Sequence, residues 1–240
     1  MDVIGIIPAR YGSTRFEGKV LADIHGKPMV QWVWEAAKKA KILDEVIVAC
    51  DDERIEEAVK SFGGKAVFTS KEHPSGTDRI CEIVNPLEVK VVVNIQADEP
   101  LLDPVMIENI ARPLLDDPSL SMATLMKKIE DHHEITDHNV VKVIADKFGM
   151  ALYFSRSVIP YQRDKSVNVT YYKHIGLYAY SKDFLFIFKN LPESTLEKAE
   201  KLEQLRVLEA GFRIKVIETK ISTIGVDTAE DLEKVKKIIS

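Results

Sequence analysis

Between positions 8 and 19 the chain reads Pro-Ala-Arg-Tyr-Gly-Ser-Thr-Arg-Phe-Glu-Gly-Lys, which gathers small residues and three cations into a dozen positions. Gly12, Ser13 and Thr14 allow backbone N–H groups to converge on anionic oxygens, and Arg10, Arg15 and Lys19 can neutralise a triphosphate tail. The spacing is neither that of a Walker loop, which needs Gly-Lys-Ser/Thr after a four-residue gap, nor that of a dinucleotide GxGxxG fingerprint. A P-loop ATPase and a Rossmann dehydrogenase are therefore disfavoured. The other reading of the segment is a solvated basic turn.

Two acids lie where they could meet such a tail. The apolar run Val91-Val92-Val93-Asn94-Ile95-Gln96 leads into Ala97-Asp98-Glu99-Pro100, and Thr223-Ile224-Gly225-Val226-Asp227-Thr228 puts a second aspartate just before the last helical segment. Magnesium is commonly held by one or two carboxylates plus substrate phosphates and waters, so Asp98 and Asp227 are candidate metal ligands. Asp227 reads equally as a helix N-cap, and Asp98 as a turn residue. Glu99 is an alternative to Asp98, although a residue before proline is biased toward extended backbone.

Ser75, Thr77 and Arg79, with Gln96 on the following strand, offer donors and acceptors for the edge of a base. Capping of the helix by Ser75 or Thr77 is the competing role. Arg156, His174 and Tyr178 fall on neighbouring strand-like segments and suit an acidic, hydroxyl-rich acceptor, because a guanidinium binds a carboxylate in a bidentate fork. For the tyrosines, an exposed hairpin or a subunit interface stays open. Asp131, His132, His133 and Glu134, with Asp137 and His138, invite a zinc reading, but adjacent histidines cannot easily face one ion and no cysteine accompanies them.

The elements that must position these residues follow from periodicity. Apolar runs at 3–8, 45–49, 65–68 and 90–96 read as strands, and helical spacing at 29–41, 52–62 and 77–84 separates them. Such alternation predicts an α/β fold with a mostly parallel central sheet, covering helices and right-handed crossovers, with ligands beyond the carboxyl ends of the strands. Strand-like stretches at 122–127, 140–145, 150–154 and 174–180 crowd together and predict a mixed second half. One helix is expected over 194–210, a strand over 213–218 and a last helix over 228–239. Trp32 and Trp34, two apart, face different directions and read as packing residues.

Composition bounds the rest. The 240 residues are 45% hydrophobic and 30% charged, with no apolar run near the ~20 residues a membrane span needs. A net charge of −5 argues against non-specific nucleic-acid binding. Cys50 and Cys81 read as reduced packing residues. The opening Met1-Asp2-Val3-Ile4-Gly5 carries an acid where a secretory signal carries positive charge, so a cytoplasmic protein is expected, in one domain over 1–240. Within it, 1–128 is expected to bind nucleotide, 129–222 to hold acceptor and dimer contacts, and 223–240 to supply the metal acid and closing helix.

In order along the chain, IIPARYGSTRFEGKVLADIHGKPM, HPSGTDR, VNIQADEPL, NVVKVIAD, ALYFSRSVIP, KHIGLYAY, EKLEQLRVLEAG and GVDTAEDLEKV make it resemble the 3-deoxy-manno-octulosonate cytidylyltransferases, or CMP-KDO synthetases. The resemblance spans essentially the whole length. It implies a nucleotide-diphospho-sugar transferase-like fold and a magnesium-dependent nucleotidyltransferase that makes CMP-KDO and pyrophosphate from CTP and the acid sugar KDO, for lipopolysaccharide biosynthesis. It also implies a homodimer. Arg10, Ser13, Arg15 and Lys19 match its CTP loop, and Ser75, Arg79 and Gln96 match segments that serve the nucleotide. Asp98 and Asp227 match its metal acids, and Arg156, His174, Tyr178, Glu203 and Gln204 match segments that hold KDO. Lys19, Asp98 and Asp227 are thus the expected catalytic set. Phe16, Glu17 and Val20 stand where the family commonly has leucine and two prolines, and Ala97 where it often has glycine. Rival readings are a cytidylyltransferase for another acidic sugar and a nucleotide-binding module without chemistry.

Overall fold

A computed structural model describes residues 1–12, 16–73 and 75–239. The first half alternates strand and helix: β1 (Val3–Ala9), a short hairpin of β2 (Asp23–Ile24) and β3 (Lys27–Pro28), α1 (Met29–Lys38), β4 (Glu45–Cys50), α2 (Glu53–Ser61), β5 (Lys65–Phe68), α3 (Gly76–Val84) and β6 (Val91–Asn94). There follow α4 (Pro104–Asp116), β7 (Met122–Lys128), α5 (His132–Thr136), β8 (Lys142–Ala145), β9 (Ala151–Ser155) and β10 (Tyr172–Ser181). The chain continues through α6 (Lys182–Asn190), α7 (Thr195–Glu200), α8 (Gln204–Glu209), β11 (Lys215–Glu218) and α9 (Ala229–Ile239).

The main sheet runs β11-β7-β10-β6-β1-β4-β5, with β8 joining β10 and β9 joining β8. β1 is parallel to both β4 and β6, whereas β10 lies antiparallel between β6 and β7. From β1 the chain winds outward through β4 to β5 and then returns to β6 on the other side. Loops after β1 and β6 therefore diverge, and the crevice between them is a topological switch point, the usual place for a ligand on such a sheet.

Period-2 alternation sends the strand residues to two cores. Val3, Ile7, Val91 and Val93 pack with Val30 and Val33 of α1, Ile55 of α2 and Ile107 of α4. On the opposite face, Ile4, Ile6 and Val92 pack with Ile80 and Val84 of α3, Phe184 and Phe188 of α6 and Leu205 of α8. The same alternation sets Asn94 and Gln96, past the apolar part of β6, on the face of Val92. Gly5 is needed for close packing, since a Cβ there would lie 2.9 Å from Leu43 Cδ1 and 3.0 Å from Ile95 Cδ1. A third cluster docks Val226 and, from α9, Leu232 and Val235 against Ile24 and Met29. Trp32 joins that cluster and donates to the Ile24 carbonyl at 3.0 Å, whereas Trp34 packs against Phe62, so the two face different ways.

Three elements depart from the expected pattern. The helix expected over 194–210 is two helices, because Lys201 takes a left-handed conformation (φ 54°) that ends α7, and α8 starts at Gln204. No glycine or proline announces that break. α4 begins on the Asp103 cap with Pro104 in its first turn and buries Met106, Ile107, Ile110, Ala111 and Leu114 at helical spacing, and α6 is a nine-residue run capped by Ser181 that buries Phe184, Leu185 and Phe188; neither was among the expected helices. No described helix is long and apolar enough to cross a membrane.

Candidate active site

A cavity of about 560 Å³ opens at the switch point. Pro8 lines it from the end of β1, Arg10 and Gly12 from the chain after it, Asn94, Gln96 and Asp98 from the end of β6 and beyond, and Tyr178, Glu203 and Gln204 from β10 and the start of α8. Lys19 lines it as well, from a single 3-10 turn over Lys19–Leu21. Gly18, at φ 65°, precedes that turn, and its N–H donates to the Tyr11 carbonyl at 2.9 Å. A Cβ at Gly18 would combine that left-handed backbone with a 3.1 Å approach to the Tyr11 ring, so glycine is required here.

Lys19 Nζ lies 2.5 Å from Asp98 Oδ2 and 3.1 Å from Asp227 Oδ1, and donates to the Val226 carbonyl at 3.3 Å. Burial is the largest single influence on Lys19 and opposes its charge. Asp98 and then Asp227 together outweigh it and hold the ammonium above its usual range. Asp227 is brought to Asp98 by main chain, because Val226 N donates to the Asp98 carbonyl at 2.8 Å. The cap of α9 belongs to Thr228, whose hydroxyl accepts from Asp231 N at 3.2 Å while Asp231 Oδ2 accepts from Thr228 N at 3.2 Å.

These two carboxylates fit a divalent cation: they are already arranged about one positive charge, the Lys19 ammonium, beside a cavity of triphosphate size. Among the described residues no group of three or more histidines, cysteines or acids forms a metal cage. A pair of acids that leaves the remaining positions to phosphates and waters suits magnesium. Glu99, next to Asp98, is pushed up to about 7 by burial and then by Asp98, against a hydrogen bond from Thr223, so it is a weaker candidate for a charged ligand. In the histidine-containing segment, Asp131 caps α5 and Glu134 pairs with Lys173 at 2.5 Å.

Of the expected nucleotide residues, Arg10, Lys19, Arg79 and Gln96 line the cavity. Ser13 and Arg15 lie outside the described residues. Ser75 caps α3, accepting from Asp78 N at 3.2 Å and donating to Asp78 Oδ2 at 2.7 Å, while Gly76 and Thr77 reach the cavity wall. Of the expected acceptor residues, Tyr178, Glu203 and Gln204 line the cavity. Tyr178 belongs to a ladder of rings, 5.4 Å from His174 and 6.0 Å from Tyr180, with Phe188 5.9 Å beyond. Burial, reinforced by Glu203, holds the Tyr178 hydroxyl far above its usual range, so it stays protonated as a donor. Burial also raises Glu203, against the attraction of Arg206.

His174 and Arg156 sit behind this wall. His174 Nε2 is 3.0 Å from Thr124 Oγ1, and the ring packs edge-on against Phe154 and lines a second cavity of about 410 Å³ with Glu99, Lys127 and Thr223. Arg156 donates to the Glu200 carbonyl at 2.7 Å and the His138 carbonyl at 2.9 Å. Behind it, the fully buried Lys142 donates to the carbonyls of Asp137, Val140 and Arg156. Asn94, Tyr180 and Lys201 line the main cavity without having been singled out in the sequence. Asn94 was legible by its place at the end of a buried strand; Lys201 carried no signal.

A sheet with its switch point between β1 and β6 and one antiparallel strand beside β6 is that of the nucleotidyltransferase-like folds, and the chain matches such a protein, the 4-diphosphocytidyl-2C-methyl-D-erythritol synthase of Anaerococcus prevotii, at TM-score 0.67 and 14% identity over 99% of this chain and 98% of that one. A profile described as cytidylyltransferase matches residues 4–221. A curated 3-deoxy-manno-octulosonate cytidylyltransferase from Geotalea uraniireducens is 54% identical over 98% of both chains, and one from Solibacter usitatus 51% identical over 98% of this chain and 94% of its own. A solved CMP:2-keto-3-deoxy-manno-octonic acid synthetase complexed with CTP matches at TM-score 0.95 and 45% identity, over 100% of this chain and 98% of that one. The chain belongs to the cytidylyltransferase family, among the 3-deoxy-manno-octulosonate cytidylyltransferases.

Proposed function

We propose that this protein transfers CMP from CTP to the anomeric hydroxyl of KDO, giving CMP-KDO and pyrophosphate, the activation step that feeds KDO into lipopolysaccharide. The observation that carries the reading is Lys19 held between Asp98 and Asp227 in the lining of a cavity that Tyr178, Glu203 and Gln204 also line. The cations Arg10 and Lys19 suit a polyanion, and Tyr178, Glu203 and Gln204 suit a hydroxyl-rich acceptor.

In the reaction, the C2 hydroxyl oxygen of KDO forms a bond to the α-phosphorus in line with the bond to the leaving pyrophosphate, which breaks, and the hydroxyl proton passes to solvent. Arg10 and Lys19 neutralise the triphosphate and the departing pyrophosphate. Arg79 and Gln96 face the base. Tyr178, Glu203 and Gln204 orient the sugar, with Arg156 and His174 assigned to the same acceptor by resemblance; positioning of this kind can supply several kcal/mol, up to ~7–11 in the best aligned cases. Asp98 and Asp227 would hold magnesium, which when bound would supply charge neutralisation to the triphosphate and would lower the pKa of the acceptor hydroxyl.

Cytoplasmic residence and a homodimer belong to the same proposal. In favour of a second copy, Phe148, Leu152, Tyr161 and Val167 are large apolar side chains exposed within one stretch of chain. The test of function is pyrophosphate release from CTP and magnesium with KDO, its 8-amino analogue, N-acetylneuraminate or no acceptor. Release only with KDO is expected. Release with another acid instead changes the acceptor, and stoichiometric CTP binding with silence in every arm makes the protein a binding module.

A further inference from the structure

Asp51, the residue after β4, joins two parts of the nucleotide site that are remote in sequence. Its Oδ1 accepts from the Tyr11 backbone N–H at 3.1 Å, and its Oδ2 accepts from Arg79 Nη2 at 3.0 Å. The Tyr11 carbonyl accepts from the N–H of Gly18, the neighbour of Lys19, and the Tyr11 ring is covered by Arg54, whose Cζ lies 3.3 Å from the ring centroid. Arg79 is fully buried and lines the cavity. Its other described partner is the Thr69 hydroxyl, and its Nε has no partner among the described residues. A buried guanidinium with one carboxylate partner takes its position from that partner, and a buried polar atom without a partner beside a ligand cavity is held ready for a ligand.

We infer that Asp51 is a positioning residue that keeps Tyr11, beside the cavity-lining Arg10 and Gly12, and the buried Arg79 in register, so that both ends of the nucleotide are gripped together. The inference rests on reading this cavity as the CTP site. Asp51 touches no reacting atom: it acts through Tyr11 and Arg79. A side chain serving only as an ion pair for stability would be replaceable by glutamate, which keeps the charge. A side chain that sets register would not, because one added methylene moves the carboxylate relative to both donors.

The test compares Asp51→Glu and Asp51→Asn with the wild type and with Asp103→Ala, a change that removes the cap of α4 and leaves both Asp51 bonds in place. The readouts are the KM for CTP, the KM for KDO and the preference for CTP over UTP, with melting temperature measured alongside. Asp51→Glu is expected to melt close to wild type yet raise the KM for CTP at least ten-fold and narrow the CTP preference, with the KM for KDO within two-fold. Asp103→Ala is expected to lower the melting temperature without that split. Wild-type kinetics in Asp51→Glu, or equal changes in both KM values, overturn the inference. A wild-type enzyme that does not use CTP overturns the underlying reading instead.

Discussion

The backbone N–H of Val226 donates to the carbonyl of Asp98 at 2.8 Å, and this main-chain bond sets the Asp227 carboxylate beside that of Asp98. The last segment of the chain thereby completes a centre begun at the end of β6. Lys19 fills the space between the two acids, so three residues from distant parts of the sequence share one charge cluster.

Lys19→Met removes the cation that both acids share and, in the proposed reaction, the group that neutralises pyrophosphate. Turnover should fall at least about a hundred-fold, the ~2.7 kcal/mol expected for loss of one charge-stabilising donor. Without divalent metal the variant should also lose about 1–2 kcal/mol of stability, as two partly buried acids lose their hydrogen-bonded ammonium. Adding magnesium should then raise its melting temperature more than that of wild type. Equal magnesium responses would show that Lys19 does not share a site with the metal.

Thr228 and Asp227 separate capping from chemistry. Thr228→Ala should cost about 1 kcal/mol, the usual value of an N-cap, and leave pyrophosphate release within two-fold of wild type. Asp227→Asn should do the reverse, with a small change in melting temperature and at least about a hundred-fold loss of turnover. Denaturation and steady-state assays on the two variants decide the matter, and the opposite pattern would assign Asp227 to the helix.

His174 gives a dependence on pH. Burial pushes its imidazole down to about 3 from the ordinary 6.5. The unfolded chain takes up this proton near pH 6.5, whereas the folded chain refuses it until about 3. Its folded pKa is depressed, so stability is intact above pH 6.5 and declines as pH falls below it, by at most about 1.4 kcal/mol per pH unit for one proton. Melting curves of wild type and His174→Asn from pH 7.5 to 4.5 should therefore converge on acidification. Curves that stay parallel would show that His174 titrates normally in the fold.

What was legible in the sequence was local. The apolar runs of β1 and β6, the small and basic residues that follow β1, and the aspartate at the exit of β6 each declare themselves within a few positions, and together they predicted the crevice. Order within the sheet is not local: β10 inserts between β6 and β7 by pairing with strands far away in sequence, so Tyr178 reaches the cavity while His174, four residues earlier, lies behind it. The break at Lys201 was hidden because a lysine in a left-handed conformation leaves no compositional mark, yet that break precedes Glu203 and Gln204 on the cavity wall. Asp51 was within reach, since it stands at the exit of β4 much as Asp98 stands at the exit of β6, on the same edge of the sheet.

The central claim is that CMP is transferred to KDO at the Asp98–Asp227 centre, and the most direct measurement follows CMP-KDO and pyrophosphate from CTP, KDO and magnesium by phosphorus NMR, with wild type and Asp98→Asn side by side. Wild type should give the two products in equal amounts, and Asp98→Asn, folded by circular dichroism, should give neither. Absence of CMP-KDO from the wild-type reaction, or its retention in Asp98→Asn, would contradict the account.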